Sequence, residues 1–279
     1  MHHLVVTLHC PDRPGIVHAL TGAIVAAEGN IIELQQFSSP DTGRFFTRIE
    51  VTGASGDDLT REIAGVAEGL SATYQVDDAG RPMRTLLLAS KAEHCVNDLL
   101  FRARGGELPI EVAGIMANHA VLAPMARFYG VPFRHRTVTP DTKAAFEAEV
   151  MEFVTSHDIE LVVLARYMQI LSPELCEFLA GRAINIHHSF LPGFKGANPY
   201  RQAHTRGVKL IGATAHFVTS ELDEGPIIEQ NVVRVDHSMS VSKLVSKGQA
   251  QESQTLAEAV RLFAEHRVLA DGSRTVIFR

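Results

Sequence analysis

The order of strand and helix patterns along the chain restricts its fold more than any other feature of the sequence. In the first eighty residues, apolar residues change repeatedly between a spacing of two, typical of strands, and a spacing of three to four, typical of helices. The predicted strands are Leu4–Cys10, Ile31–Ser38, Arg44–Val51 and Thr73–Val76, and the predicted helices are Gly15–Glu28 and Asp57–Leu70. The order βαββαβ predicts a small α/β domain with the ferredoxin-like arrangement at residues 1–80.

A different pattern follows the polar turn at residues 77–82. Short apolar strands now alternate with helices of ten to fifteen residues, which indicates a Rossmann-like, mostly parallel sheet covered by helices on both faces. The predicted strands are Thr85–Ala89, Ile110–Met116, Glu160–Leu164 and Ala183–Ile186. Two further strands, Gly212–Val218 and Ile227–Val235, are predicted to form a hairpin or to flank a long loop at the sheet edge. The stretch Val241–Leu269 is predicted to be largely helical, and Thr275–Phe278 to be a last strand. This second α/β domain is predicted at residues 84–279, with its ligand beyond the carboxyl ends of the strands.

Composition argues against several classes of function. The net charge is −6 and no stretch clusters Lys and Arg, so the positive surface that nucleic-acid binding needs is missing. No apolar run reaches eighteen residues, so we expect no membrane span, and we also expect no signal peptide. The three cysteines are far apart and the histidines lack metal-binding spacing, so we expect neither disulfides nor a bound metal. These features together predict a cytoplasmic protein.

Three segments carry residues that suit chemistry. Asn185 and His187 lie two apart at a predicted strand end, so both side chains point to one face, where an amide and an imidazole can polarise a carbonyl and move a proton. Asp223 precedes a Gly-Pro turn, and residues 166–171 follow a buried strand. Each segment has a purely structural alternative: buried polar residues at a strand end, an ordinary turn residue, or a loop that closes the core.

Taken together, these segments resemble the active site of the formyltransferase superfamily, whose members use 10-formyltetrahydrofolate. The similar stretches are Asn185–His187, Ser189–Pro192, Leu222–Ile228 and, on the folate side, Met168–Leu171. The resemblance covers residues 84–279 and implies the catalytic residues Asn185, His187 and Asp223. It also implies a folate site, to which we assign Tyr167, Met168, Gln169, Ile170, Leu171, Leu222, Gly225, His119 and His188.

Within that superfamily, the stretches Ser90–Cys95 and Asn185–His188 are similar to the formyltetrahydrofolate deformylase branch. The related glycinamide ribonucleotide transformylases hold phosphate in a glycine-rich loop at a helix start, whereas residues 90–97 contain no glycine. The resemblance therefore implies hydrolysis of 10-formyltetrahydrofolate, with folate as a substrate and no cofactor. The alternatives are a transferase that passes formyl to a nucleotide or aminoacyl-tRNA amine, and a regulator without enzyme activity.

The first domain has a recognisable loop of its own. Asp12, Arg13 and Gly15 lie between its first strand and first helix, and Asn30 follows that helix. Residues 3–78 resemble the ACT family of regulatory modules, which implies an amino-acid effector and a homo-oligomer. Gly15 allows backbone N–H groups at a helix start to approach a carboxylate. The alternative is that the loop is only a turn and the domain only dimerises.

Overall fold

The computed structural model describes residues 3–190 and 199–279, which form two compact units. One unit combines residues 3–82 with residues 265–279, and the other consists of residues 83–264. Among the described residues, no helix is both long enough and apolar enough to cross a bilayer.

The first unit is built on a four-stranded antiparallel sheet with two helices. Its elements are β1 His3–Pro11, α1 Ile16–Ala26, β2 Asn30–Ser39, β3 Arg44–Thr52, α2 Gly56–Leu70 and β4 Thr73–Asp78. The strand order β2-β3-β1-β4 places the first strand beside the third and the fourth, and Val6 of β1 is paired with Ile49 and with Val76. Apolar residues of both helices, such as Leu20 and Ile63, are buried in one core with these strands. The predicted βαββαβ domain is confirmed.

The C-terminal segment belongs to this first unit. After α8, Val241–Ala264, the chain forms the hairpin β12 Val268–Asp271 and β13 Arg274–Ile277. Leu269 and Phe278 of this segment pack on Phe46, a fully buried residue of β3. The sequence division placed residues 265–279 with the second domain and predicted helix as far as Leu269. Phe46 is apolar and does not belong to the core that the two helices cover. The C-terminal segment buries Phe46 instead, which explains why this segment packs on the first unit.

The second unit is an α/β domain with a seven-stranded sheet. Its strands are β5 Met83–Ala89, β6 Ile110–Ala117, β7 Phe133–His135, β8 Leu161–Ala165, β9 Ala183–His187, β10 Leu210–Phe217 and β11 Ile227–Arg234. Its helices, besides α8, are α3 His94–Arg104, a short 3-10 helix Ala120–Leu122, α4 Ala123–Tyr129, α5 Lys143–Ser156, α6 Pro173–Phe178 and α7 Pro199–Arg206. Strands β5 to β9 are parallel, and β10 and β11 are antiparallel at one edge, as the sequence predicts. β7 and α7 are elements that the sequence analysis did not predict.

The strand order β11-β10-β9-β8-β5-β6-β7 reverses at β5. The chain continues from β5 to β6 on one side and returns to β8 on the other, so connections diverge between β5 and β8. In open α/β sheets, ligands bind near such a point, at the carboxyl ends of the strands. Ser90 follows β5 here, and its hydroxyl oxygen accepts a hydrogen bond of 2.9 Å from the Met168 N–H in the loop after β8.

Candidate active site

The site begins where β9 pairs with β10. Asn185 and His187 are two residues apart on β9 and therefore lie on the same face of the strand. The antiparallel register places His216 of β10 directly opposite Asn185. The Asn185 amide nitrogen Nδ2 lies 3.2 Å from His216 Nε2. At its other nitrogen, Nδ1, the His216 ring is 2.8 Å from the Phe217 carbonyl oxygen. Because that carbonyl can only accept, a neutral His216 carries its proton on Nδ1 and accepts the Asn185 amide proton at Nε2.

Asp223 completes the group from the loop between β10 and β11. Its Oδ2 accepts a hydrogen bond from His187 Nδ1 at 3.1 Å, and its Oδ1 lies 3.7 Å from His216 Nε2. The backbone of Asp223 is left-handed, with φ of +58°, a conformation that Asp and Asn tolerate better than most residues. Two residues later the loop packs tightly on β10, since a Cβ added at Gly225 would lie 1.8 Å from the Phe217 oxygen.

The groups around Asp223 favour its ionised carboxylate form. The hydrogen bond from His187 and the neighbouring His216 ring lower the pKa of Asp223 below its ordinary value. His187 is buried, and its other nitrogen, Nε2, has no hydrogen-bond partner among the described residues. The Asp223 contact therefore orients the ring and leaves Nε2 available to a ligand.

His188 lies beside His187 and is a neutral ring. Its ring stacks on that of His187, with centroids 5.0 Å apart. Burial, together with the charges of Arg166 and His187, lowers the pKa of His188 to about 4, so the ring is neutral near pH 7.

A pocket with a cavity volume of about 260 Å³ adjoins these residues. Its lining includes Asn185, His187, His188, His216 and Asp223, the whole loop from Arg166 to Leu171, and residues Val218 to Leu222. Apolar side chains at its rim remain exposed: Met168 by 58%, Ile170 by 63% and Leu222 by 60%. A flat, partly apolar ligand can cover these side chains, while its polar end reaches the His187 group.

Comparison with known proteins identifies the family. Residues 4–66 match the family model of the ACT domain, and residues 83–260 match that of formyl transferases. A formyltetrahydrofolate deformylase of Corynebacterium sp. is 48% identical over 99% of this chain and 98% of its own length. The crystal structure of the formyltetrahydrofolate deformylase from Burkholderia mallei is 50% identical, covers both chains completely and superposes with a TM-score of 0.96. The chain belongs to the formyltetrahydrofolate deformylase family.

A second group of structures covers only about two thirds of this chain. Glycinamide ribonucleotide transformylase 1 from Symbiobacterium toebii is 35% identical, covers 71% of this chain and 94% of its own, and has a TM-score of 0.66. The formyltransferase fold is thus common to both groups, and the full-length likeness is to deformylases. Both predicted resemblances, to the formyltransferase superfamily and to ACT domains, are confirmed.

Not every residue predicted for the folate site of this deformylase-family chain faces the pocket. His119 follows β6 and is absent from the pocket lining, and Gly225 supports the Asp223 loop instead. Tyr167 lines the pocket, but it is 93% buried and stacks on Phe146 in the core. In the similar stretch Ser189–Pro192, the last two residues lie outside the described residues.

His216 is a site residue that the sequence analysis missed. It is 3% exposed and contacts both Asn185 and Asp223. A signal was present, because Thr214 and His216 are polar residues two apart in an otherwise apolar strand, so both lie on one face.

The predicted effector residues of the first unit only partly converge. Gly15 caps α1 with φ of +94°, no side chain of the described chain caps it, and the space beside its Cα is open. The Asp12 N–H donates a hydrogen bond of 2.8 Å to the Gly43 oxygen, and Arg13 donates one of 2.6 Å to the Gly69 oxygen at the end of α2. Asn30 lies at the far end of α1, about 16 Å along an eleven-residue helix.

Proposed function

We propose that this chain hydrolyses 10-formyltetrahydrofolate to formate and tetrahydrofolate. The observation that supports this most is the convergence of Asn185, His187 and Asp223 at one end of the pocket, with Asp223 Oδ2 3.1 Å from His187 Nδ1. Membership of the deformylase family supports the same reaction.

The reaction needs one bond to form and one to break. Water adds to the formyl carbon, the C–N10 bond breaks, N10 gains a proton and formic acid leaves as formate. Addition of water creates an oxyanion, which the Asn185 amide and a protonated His187 stabilise. The ionised Asp223 favours the imidazolium form of His187, accepts the proton of the attacking water, and allows His187 to protonate N10.

The loop Arg166–Leu171 and the rim residue Leu222 are the proposed folate contacts. Met168, Ile170 and Leu222 expose apolar surface at the pocket. Covering them with the folate rings removes water from the site, and hydrogen bonds to the oxyanion become stronger in a less polar surrounding. We also assign Gln169 and the neutral His188 to this pocket as polar contacts of the substrate.

The reaction is proposed to need no cofactor or resident metal. The described residues contain one group able to hold a metal ion, formed by His94, Cys95 and Glu252, whose ligand atoms lie within 4.8 Å of one another. The Glu252 carboxylate already accepts hydrogen bonds from His94 and from the Tyr200 hydroxyl, and it forms an ion pair of 3.3 Å with Arg166. A cation here would have to displace these donors, so we expect chelator-treated protein to keep its formate production.

The decisive experiment supplies 10-formyltetrahydrofolate to the pure protein without any amine acceptor and quantifies formate. We expect formate and tetrahydrofolate in equal amounts. The rival function is transfer of the formyl group to an amine such as glycinamide ribonucleotide. Faster formyl transfer to that nucleotide than to water would contradict the proposed hydrolysis.

The first unit is proposed to bind a small amino acid at the start of α1. The ACT match and the uncapped helix start beside Gly15 support an anion site there. If this unit and the catalytic unit share a two-state interface, the coupling should be roughly 1–3 kcal/mol. Formate release should then respond to one of the twenty amino acids, and Gly15→Val should abolish that response but preserve basal hydrolysis. If no amino acid binds or changes the rate, the unit is an assembly element.

A homo-oligomer in the cytoplasm is proposed as the working form, supplying formate for purine synthesis and balancing the one-carbon pool. β2 is an edge strand of the first sheet, and it exposes Ile32 by 52% and Phe37 by 45%. An unpaired edge with apolar side chains favours pairing with a second copy. Light scattering on the purified chain measures the oligomer directly, and a monomer at micromolar concentration would contradict this proposal.

A further inference from the structure

A buried ion pair lies at one wall of the catalytic pocket. Arg166 lines the pocket directly after β8, and its Nε lies 3.3 Å from the Glu252 carboxylate of α8. Glu252 is 1% exposed, and its carboxylate accepts hydrogen bonds from His94 Nε2 at 2.8 Å and from the Tyr200 hydroxyl at 2.5 Å. Although burial alone would raise the pKa of Glu252, these donors and the Arg166 charge lower it. The carboxylate is therefore ionised and holds the Arg166 side chain in place.

The sheet places Arg166 beside the two consecutive histidines of the site. β8 and β9 are parallel neighbours, and their last register pair is Leu164 with Asn185. Two residues further along each chain lie Arg166 and His187, and neighbouring strands are about 4.8 Å apart. Arg166 has a left-handed φ of +61°, a conformation that is uncommon for residues other than Gly, Asn and Asp. Its backbone and Glu252 together position Arg166 next to the end of β9.

The two stacked histidines have unlike charges beside them. Both rings line the pocket, with centroids 5.0 Å apart, and Asp223 Oδ2 lies 3.1 Å from His187 Nδ1. For His188, burial and the charges of Arg166 and His187 lower the pKa to about 4, against the opposing charges of Glu252 in α8 and Asp223 in the loop after β10. A proton on this pair is thus favoured beside the carboxylate and disfavoured beside the guanidinium group.

We propose that Arg166 is a positioning residue whose guanidinium group, held by Glu252, confines the proton of the histidine pair to His187 and leaves the His188 ring neutral. This inference rests on the proposed hydrolysis, in which His187 is the acid. A neutral imidazole has one nitrogen that accepts a hydrogen bond, whereas an imidazolium ion only donates. The attacking water has two protons to donate: Asp223 accepts one, and the free nitrogen of His188 accepts a hydrogen bond from the other.

The first test measures the protonation of His188 by NMR, independently of catalysis. The imidazole C–H signal of His188 is identified by its loss in His188→Gln and is followed from about pH 7.5 to about pH 4.5. The wild-type ring should remain largely neutral, with a midpoint near pH 4. In Arg166→Gln the midpoint should rise by at least about one pH unit, because a nearby like charge is lost. Arg166→Lys keeps a cation and should keep most of the wild-type value.

A second variant allows for the buried charge that Arg166→Gln leaves on Glu252. The double variant Arg166→Gln with Glu252→Gln removes both charges of the ion pair. Its His188 midpoint should also rise, but by less, because the Glu252 charge acts on His188 in the opposite direction. Arg261→Gln, which breaks an ion pair with Glu258 in the same helix α8, is the control and should keep the wild-type midpoint.

The second test looks for the same shift in catalysis. Since protonation of His188 removes the acceptor of the water, kcat/KM for 10-formyltetrahydrofolate should fall as the pH drops through the His188 midpoint. The acidic limb of the profile should move to higher pH in Arg166→Gln, by about the one unit seen by NMR. Adding His188→Gln to Arg166→Gln should abolish this shift, because the glutamine carbonyl accepts a hydrogen bond at any pH.

The outcomes separate this proposal from the proposed hydrolysis. A wild-type His188 midpoint in folded Arg166→Gln would overturn the role of Arg166, and so would an equal rise in Arg166→Gln and Arg166→Lys. A shift of the acidic limb that persists in the double variant with His188→Gln would overturn the role of His188. A wild type that forms no formate at all would instead contradict the proposed hydrolysis.

Discussion

Replacing Asp223 by Asn tests the proposed mechanism most directly. The substitution keeps the shape of the side chain and removes its charge. Asn tolerates the left-handed backbone found at this position, with φ of +58°, so the loop should keep its conformation. Alanine would combine loss of the charge with backbone strain, and therefore would not separate the two effects.

The expected size of the effect follows from two contacts. The hydrogen bond of 3.1 Å between Asp223 and a protonated His187 is charge-assisted, and such bonds contribute about 1.5–3 kcal/mol, or roughly 10- to 150-fold in rate. Loss of a group that accepts the proton of the attacking water lowers rates by about 10²- to 10⁴-fold. Because one carboxylate performs both tasks, the two losses overlap. We expect kcat to fall by about 10²- to 10⁴-fold.

The assay follows formate release at saturating 10-formyltetrahydrofolate and at several lower concentrations. KM should change by less than about threefold, because the ring contacts belong to the Met168–Leu171 loop and a transition-state contact affects kcat. Asp236→Asn, an exposed aspartate after β11, is the matched control and should retain wild-type kcat. A kcat of Asp223→Asn within a few-fold of wild type would remove this carboxylate from the mechanism.

Three further perturbations test the neighbouring contacts and the fold. His216→Leu leaves the Asn185 amide without its hydrogen-bond acceptor, which should lower kcat by about 10- to 150-fold. His216→Gln should recover part of this loss. Equal kcat values for the two variants would show that the Asn185 amide needs no acceptor. Unfolded chains bind a proton on His188 below pH 6.5 and the folded chain only near pH 4, so stability contributed by the neutral ring is lost as the pH falls through this window, by up to about 3 kcal/mol. The free energy of unfolding, measured at pH 7 and at pH 4.5, should therefore fall less in His188→Gln than in wild type. An equal fall in the two proteins would refute this assignment. Phe46→Ala should destabilise the first unit by about 3–5 kcal/mol in urea unfolding, whereas the half-exposed Phe37→Ala should change it by less than about 0.5 kcal/mol; equal effects would mean that the C-terminal hairpin does not bury Phe46.

Local patterns were sufficient to predict most elements of the fold. Strands and helices of the first unit follow the spacing of their apolar residues, because each element buries one face. The end of α8 was misjudged for the same reason, since Leu269 continues a helical spacing. In the structure the helix ends at Ala264, and His266 takes a left-handed φ of +55° that turns the chain into β12. Spacing cannot show which surface an apolar residue will cover.

Site residues were predictable where one segment carried the signal. Asn185 and His187 share a strand, so their common face follows from the period of two. His216 joins them only through the register between β9 and β10, and pairing between distant strands is not encoded in either strand alone. Tyr200 and Glu252 are fifty-two residues apart, and their contact depends on how α7 packs against α8.

The position of Asp223 shows how much of the chemistry depends on backbone rather than on side-chain identity. β10 runs antiparallel to β9, and its last residue, Phe217, pairs with Ile184, three residues before His187. The loop after β10 must therefore turn back along β9 before a carboxylate can reach the imidazole. Two local features accomplish this turn: the left-handed φ of Asp223 and the contact of Gly225 with the Phe217 oxygen, which leaves no room for a Cβ. The backbone of this loop, and not only the presence of an aspartate in the sequence, brings the Asp223 carboxylate to 3.1 Å from His187 Nδ1.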